Sequence, residues 1–296
     1  MSNSVQDQWA RWLLHRRHGG DPEEQKACLE ALYPVRDQVL RNAKVVQGEV
    51  VLDVGTGDGL IAFAALAQVG ERGQVIFSDI SHDLLDHCQA LAHQLGVLDR
   101  CLFLEAAAED LAALTDVSVD VVTTRSVLIY VTAKQQAFRE FYRVLKPNGR
   151  LSIFEPINRF SYFEPTSLFW GHQVTPIQDL AQKVTTVYER LHPVETDPLV
   201  NFDERDLLAF AEQAGFAEIR LELQVKIVPA IPGRGRKWES FLRSAPNPRA
   251  PTIEEAIDQA LTRDEAQQFK TYLRPLVETQ RGAERSAVAY LWAIKH

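Results

Sequence analysis

Nine residues carry the densest chemistry in the chain. Leu52–Leu60, LDVGTGDGL, sets three glycines and two carboxylates directly after the apolar run Val50–Val54. Glycines between a strand and a helix let the backbone turn sharply and approach a ligand closely. Two classes of adenosine cofactor use such loops, one built on nicotinamide and one on S-adenosylmethionine. The dinucleotide fingerprint G-x-G-x-x-G requires glycine at 60 to bring the helix against a pyrophosphate, and this chain has Leu60. Asp53 and Asp58 flank the glycines. Negative charge is poorly placed beside phosphates at a helix N-terminus, but it suits a cofactor carrying an ammonium and a sulfonium. Asp79 ends the next apolar run, 20 residues after Gly59. A carboxylate there accepts both hydroxyls of a ribose; alone, it also reads as a cap for the following helix.

The elements that must hold these residues follow from periodicity. Asp21-Pro22-Glu23-Glu24 predicts a helix start, with Asp as N-cap, Pro at the first helical position and Glu three residues after the cap. Pro34 predicts a break near Tyr33, and a second helix leads to the first strand. From Val50 short apolar runs alternate with helix-period segments. Strands are expected over Val50–Val54, Gln74–Ser78, Cys101–Leu104, Val119–Thr124 and Arg150–Phe154. Helices are expected over Leu60–Val69, Asp83–Leu95 and Ala133–Leu145, with a turn at Pro147-Asn148-Gly149. That alternation implies βαβ units and a parallel sheet covered on both faces. Pro156 to Pro198, rich in aromatics and prolines, reads as a loop-rich insertion. Asp203–Ala214 follows as a helix ended by Gly215, then Glu218–Val228 as a strand. A helical insertion runs to Gln280, and Arg285–Ile294 is apolar on both faces, as an interior strand is.

Composition sets outer limits. The 296 residues are 46% hydrophobic and 24% charged, with net charge −8. These are values of a globular chain with a real core, and the acidic balance argues against a nucleic-acid partner. The basic groups Arg16-Arg17-His18 and 232–237 are isolated turns rather than a stripe. No signal peptide or bilayer-length apolar run is visible, so cytoplasmic residence is expected, with no membrane partner. Cys28, Cys88 and Cys101 have no C-x-x-C spacing, which fits a reducing compartment. Cys88 falls on an apolar helical stripe, and Cys101 starts what reads as an interior strand. No metal-ligand motif is present, so no metal is expected.

Taken together, VVLDVGTGDG (50–59), FSDIS (77–81), AAAEDL (106–111), VDVVTTRSVLIYV (119–131) and FREFYRVLKPNGRLSIFEP (138–156) resemble the class I S-adenosylmethionine-dependent methyltransferases. The resemblance implies an α/β, Rossmann-like, doubly wound seven-stranded sheet of order 3-2-1-4-5-7-6, its last strand antiparallel, with helical cap insertions. It implies S-adenosylmethionine as cofactor. Asp53 and the loop of Gly55, Thr56, Gly57 and Gly59 would face the methionine portion, with Asp53 reaching the ammonium. Asp79 would hold the ribose and Ile80 would pack on the adenine. Ala108 and Glu109 align with the turn that reads the adenine edge. Many members carry Asp where this chain has Ala107, leaving that edge to Glu109 or to backbone groups. Arg125 and Ser126 would flank the methionine end. Tyr33 and Arg36, at i, i+3 spacing, either cover the sulfonium and methionine carboxylate or are a packing Tyr and a surface Arg.

Methyl transfer needs an aligned nucleophile, excluded water and in some cases a base. Tyr130, Glu155, Tyr162, His172 and His192 follow the fourth and fifth strands and are base candidates. His172 leads because histidine titrates near neutrality, although a structural or surface histidine is the commoner reading. Glu155 also reads as a residue that orients a loop. Residues 1–48 are expected as an N-terminal helical lid. Residues 49–156, 201–228 and 283–296 form the cofactor-binding domain, and 157–200 and 229–282 are caps shaping the substrate pocket. The roof aromatics Phe160, Tyr162, Phe163, Phe169, Trp170, Trp238 and Phe241 either mark an apolar or aromatic acceptor or simply pack the roof. The partner expected is a small-molecule methyl acceptor, methylated on O or N in preference to C, and a homodimer is compatible. A non-catalytic S-adenosylmethionine-binding protein and an NAD-dependent oxidoreductase are the alternatives.

Overall fold

The computed structural model describes residues 6–162, 164–229 and 235–296, and the side chains of all these except 161 and 162. Short α1 (Gln8–Arg11) is capped by Asp7, whose carboxylate accepts from the Trp9 and Ala10 N–H groups, and runs into a wider turn over Trp12–Arg16. The long α2 (Pro22–Ala43) starts on the expected cap, with Asp21 accepting from the Glu23 and Glu24 N–H groups. The break expected at Pro34 does not occur. Glu30 and Pro34 lie on the exposed face, where the carbonyl that loses its N–H partner faces water.

β1 (Val50–Val54), α3 (Leu60–Val69), β2 (Gln74–Asp79), α4 (His82–Gln94), β3 (Cys101–Glu105), β4 (Val119–Arg125), α5 (Lys134–Val144) and β5 (Leu145–Pro156) follow the predicted rhythm. Next come α6 (Asn158–Tyr162), a hairpin of β6 (Leu168–Phe169) and β7 (His172–Gln173), α7 (Gln178–Leu191), α8 (Glu204–Ala214) and β8 (Ala217–Pro229). The chain ends with α9 (Trp238–Arg243), α10 (Ile253–Ala260), α11 (Arg263–Thr279) and β9 (Ala283–Ile294). The main sheet has seven strands in the order β3-β2-β1-β4-β5-β9-β8. Its first five are mutually parallel, and β9 runs antiparallel between β5 and β8. With the small hairpin set aside, this is the expected 3-2-1-4-5-7-6 order. Pro147-Asn148-Gly149 bulges out of β5, where the register with β4 slips between Val119 and Val121.

Alternation along the strands builds a core on each face. Leu52, Val54, Ile76 and Val122 pack with Phe138 and Phe141 of α5 and Leu207 and Ala211 of α8. Val51, Val75, Phe77 and Val121 pack with Ile61 and Ala65 of α3, Cys88 of α4, and Val39, Leu40 and Ala43 of α2. The segment expected as one lid, 1–48, therefore divides. Residues 6–17 lie over the strand ends, while the last turns of α2 belong to the sheet's core because their apolar stripe faces it. Cys101 also needs correction, since β3 is an edge strand. The thiol is nonetheless buried, with Sγ donating to the Val97 carbonyl at 3.3 Å.

The two insertions share a third core. Phe169, Val184, Tyr188, Trp238, Phe241, Ile257, Phe269 and Leu273 join the hairpin, α7 and α9–α11. The N-terminal segment is fastened beneath it. Trp12 Nε1 donates to the Ala245 carbonyl at 2.9 Å, Arg16 pairs with Glu255 at 2.8 Å, and Lys237 reaches Asp21 and Glu23 at 2.9 and 2.7 Å. From below, Ser81 Oγ donates to Asp7 at 2.6 Å, so the segment is anchored to both cap and sheet.

Candidate active site

The C-terminal ends of β1, β2 and β4, the N-terminal segment and the cap enclose a cavity of about 1070 Å³. Its floor is the glycine loop. Gly55, Gly57 and Gly59 hold φ of 64°, 57° and 81°, left-handed values that L side chains strain to adopt. A Cβ on Gly55 would lie 2.2 Å from Val127 Cγ2. Gly55 and Gly57 line the cavity. Asp53, Thr56 and Gly59, expected to touch the cofactor, are not among its lining residues. Asp53 is buried and accepts from the Thr56 hydroxyl at 2.9 Å and the Thr123 hydroxyl at 2.7 Å. Through these bonds it braces the loop from beneath. Burial pushes its pKa up to about 6, against the pull of the two hydroxyls. Asp58 Oδ1 is buried with no hydrogen-bond partner.

Asp79 lines the cavity at the end of β2. Its Oδ2 accepts from the Gly57 N–H and its Oδ1 from the Ser81 N–H, each at 2.9 Å. A carboxylate offers about four acceptor sites, so two backbone bonds fix its orientation and leave capacity for hydroxyls. Burial raises its pKa. Ile80 stands beside it, 49% exposed, an apolar ledge on the cavity wall. Ala108 and Glu109 continue that wall, and Arg125 and Ser126 line it at the end of β4. These surfaces fit an adenosine-bearing cation. They combine a carboxylate with spare lone pairs, an apolar ledge and backbone glycines at close approach.

Tyr33 and Arg36 are elsewhere. Arg36 stacks on the Tyr33 ring at 4.5 Å and pairs with Asp37 at 2.8 Å, and neither residue is among the cavity's lining residues. Since α2 is unbroken at Pro34, this stretch stays on the helix's outer side. From the N-terminal segment it is Trp9, Trp12, Leu13 and Arg17 that line the cavity. Their signal was the aromatic spacing of Trp9, Trp12 and Leu13, at i, i+3, i+4 in a piece too short to read as a helix.

The base candidates separate clearly. Glu155 is fully buried, and its carboxylate accepts from the backbone N–H groups of Val127, Leu128 and Ile129 at 2.8, 3.0 and 3.3 Å. It clasps the loop after β4 and is not a lining residue, which corrects the expectation of a catalytic role. Burial drives its pKa up to about 7 despite those three bonds. His192 also lines the cavity, and its ring is held between Asp197 and Asn247, at 3.1 Å from each. Tyr130 lines the cavity against Trp9 at 4.9 Å, its phenol pushed up to about 12 by burial. The Tyr162 side chain, like all of Phe163, lies outside the described residues. His172, on β7, lines the cavity and hydrogen-bonds through Nδ1 to the Arg281 carbonyl at 3.1 Å. A carbonyl only accepts, so Nδ1 carries the proton and Nε2 presents its lone pair. Burial lowers the pKa of the ring, against the Arg281 carbonyl, which raises it.

Of the roof aromatics, Phe169, Trp238 and Phe241 are buried in the cap core, while Trp170 is 45% exposed on the cavity wall. Sequence reading missed α7, which adds Gln182, Thr185, Tyr188 and Glu189 to the wall. Among the described residues, no group of three or more His, Cys, Asp or Glu side chains gathers as a metal site.

A family described as a methyltransferase domain matches residues 46–189. The ubiquinone/menaquinone biosynthesis C-methyltransferase UbiE of Escherichia fergusonii is 31% identical over 184 residues, which cover 59% of this chain and 69% of that protein. Its namesake from Pseudoalteromonas translucida is 39% identical over 120 residues, 40% of this chain and 47% of that one. The chain thus spans about half the length of the latter relative. Among solved structures, the YcgJ protein of Bacillus subtilis superposes with a TM-score of 0.54 at 17% identity, covering 89% of this chain and 99% of that one. A putative sarcosine dimethylglycine methyltransferase from Galdieria sulphuraria gives 0.54 at 15% identity, covering 97% and 98%. At such identities these two likenesses speak for the fold.

Proposed function

From the premise that the chain belongs to the class I S-adenosylmethionine-dependent methyltransferases, we propose that it transfers a methyl group to a small, apolar or aromatic acceptor. One observation carries this reading: a single cavity holds both the glycine loop with Asp79 and, from the cap, a neutral histidine with a free ring nitrogen. When bound, the cofactor supplies a methyl carbon activated by its positive sulfur. Asp79 takes the ribose hydroxyls, and Ile80, Ala108 and Glu109 form the adenine slot. The backbone of Gly55 and Gly57 faces the methionine portion, with Arg125 and Ser126 at its end. Asp53, Thr56 and Gly59 keep the loop in shape, and Glu155 does the same for the segment carrying Ser126. Residues 6–17 and the cap insertions 157–200 and 229–282 exclude water.

His172 is the proposed base. Its Nε2 takes the proton of an acceptor O–H or N–H as the new bond to carbon forms, and the Arg281 carbonyl steadies the imidazolium through Nδ1. This favours an oxygen or nitrogen acceptor. A carbon acceptor is the second reading, favoured by the C-methyltransferase names of the relatives. Cytoplasmic residence belongs to the same proposal; among the described residues no helix is long and apolar enough to cross a membrane. The experiment is incubation with methyl-labelled cofactor and a panel of phenols, arylamines and carbon acids. Label on phenols or arylamines is expected, and label on carbon acids alone would establish the second reading. Uptake of cofactor without label on any compound would contradict the enzymatic reading.

A further inference from the structure

Three guanidinium groups in the cavity wall, those of Arg17, Arg125 and Arg285, have no hydrogen-bond or ion-pair partner among the described residues. Arg125 projects from the end of β4 and Arg17 from the N-terminal segment, where it lies over the Trp12 ring at 5.3 Å. The carboxylates near Arg125 are Asp58, Asp53 and Glu155, and all act on it only at a distance. Asp53 is taken up by two threonine hydroxyls and Glu155 by three backbone N–H groups. Arg17 is itself close enough to repel Arg125. Of the other cations of the wall, Arg236 pairs with Glu24 at 2.8 Å, while Arg285 lies over Phe160 and acts on Glu164 only at a distance; Arg17 and Arg125 are the two that act on each other.

Like charges held together in a largely enclosed space are costly until an anion joins them. The guanidinium fork matches a carboxylate, which accepts two parallel N–H bonds from it. Aromatic surface adjoins the pair. Tyr130 meets Trp9 and Trp12 edge to face, with ring centroids 4.9 and 6.5 Å away. The wall therefore offers aromatic surface beside a double positive charge.

We propose that Arg17 and Arg125 form a carboxylate subsite for the methyl acceptor, which is accordingly an aromatic or apolar organic acid. The inference rests on the methyltransferase reading of the cavity. Arg125 also flanks the methionine end in that reading, so Arg17, to which it gives no ligand contact, is the residue that tests the inference. The probes are 2-naphthoate and its uncharged analogue 2-naphthamide, titrated calorimetrically into protein saturated with S-adenosylhomocysteine. Naphthoate is expected to bind at least about tenfold more tightly than the amide, the gain of one charge-assisted pair. Arg17→Gln should bring that ratio close to one with S-adenosylhomocysteine affinity retained, and Arg17→Lys should restore part of it. Equal affinities in the wild type, or no naphthoate binding, would overturn the proposal. So would an Arg17→Gln variant that keeps the ratio but loses S-adenosylhomocysteine, because the pair would then serve the cofactor's own carboxylate. Failure of the wild type to bind S-adenosylhomocysteine at all is a different result, and it would remove the underlying reading.

Discussion

Glu155→Ala tests whether the buried carboxylate of β5 is a clasp or a base. In the wild type it satisfies the N–H groups of Val127, Leu128 and Ile129. Alanine orphans all three, and each unsatisfied buried group costs about 1 kcal/mol at the low end, so roughly 3 kcal/mol is lost at pH 8. The loss grows as pH falls. The folded pKa is raised to about 7 from an ordinary 4.5, so the folded protein holds this proton more tightly than the unfolded chain. The associated stability is fully present below pH 4.5 and is lost as pH rises through 7. It amounts to about 3 kcal/mol at about 1.4 kcal/mol per pKa unit. The variant has no such titration. Urea unfolding at pH 5 and pH 8 should therefore show a larger deficit at pH 5. S-adenosylhomocysteine affinity should also fall, since the released loop carries Ser126 at the cavity wall. A deficit equal at both pH values would refute the linkage. Abolished methyl transfer with unchanged stability and cofactor affinity would make Glu155 a base after all.

Two further substitutions separate loop geometry from chemistry. Gly55→Ala forces a Cβ to within 2.2 Å of Val127 Cγ2 at a φ of 64°. Strain of about 1–3 kcal/mol and weaker S-adenosylhomocysteine binding are expected in thermal unfolding and calorimetry, and a variant unchanged in both would contradict the loop account. His172→Gln should lower kcat by about 10²–10⁴ with cofactor affinity retained. Wild-type activity should decline only at pH below histidine's ordinary 6.5, because burial lowers the pKa of the ring. That acid limb should vanish in the variant, and a variant with the wild-type rate would end the base assignment.

The catalytic sheet was legible because each of its strands is buried on a predictable schedule. Val51 and Leu52 sit on opposite faces yet are both apolar, so the run itself announced a doubly covered strand. Caps were equally readable at Asp21 and Gly215, which stand where side chain and φ require, while Asp203, read as the first helical residue, is itself the N-cap. The site was legible where backbone chemistry dictates residue type, as at Gly55, Gly57 and Asp79. It was misread where a residue type has two uses. Asp53 and Glu155 are carboxylates at strand ends, and only tertiary contacts reveal that hydroxyls and backbone N–H groups consume them. Pro34 misled because it lies on the exposed side of α2, where water can serve the carbonyl it frees. The stripe of Ala181, Val184 and Tyr188 in α7 has helical spacing, but the aromatics and prolines before it obscured the period. Arg17 had no local signal. Its importance arises from α1 being laid over a strand end more than a hundred residues away in sequence.

The central claim is that the cavity of LDVGTGDGL and Asp79 seats a cationic methyl donor and not a dinucleotide. Calorimetric titration of the wild type and of Asp79→Ala with S-adenosylhomocysteine and with NAD measures this directly. The wild type should give a saturable isotherm with S-adenosylhomocysteine and none with NAD. Asp79→Ala should weaken the former by about tenfold or more, equivalent to about 1.4 kcal/mol. NAD binding without S-adenosylhomocysteine binding, or an Asp79→Ala variant of undiminished affinity, would contradict it.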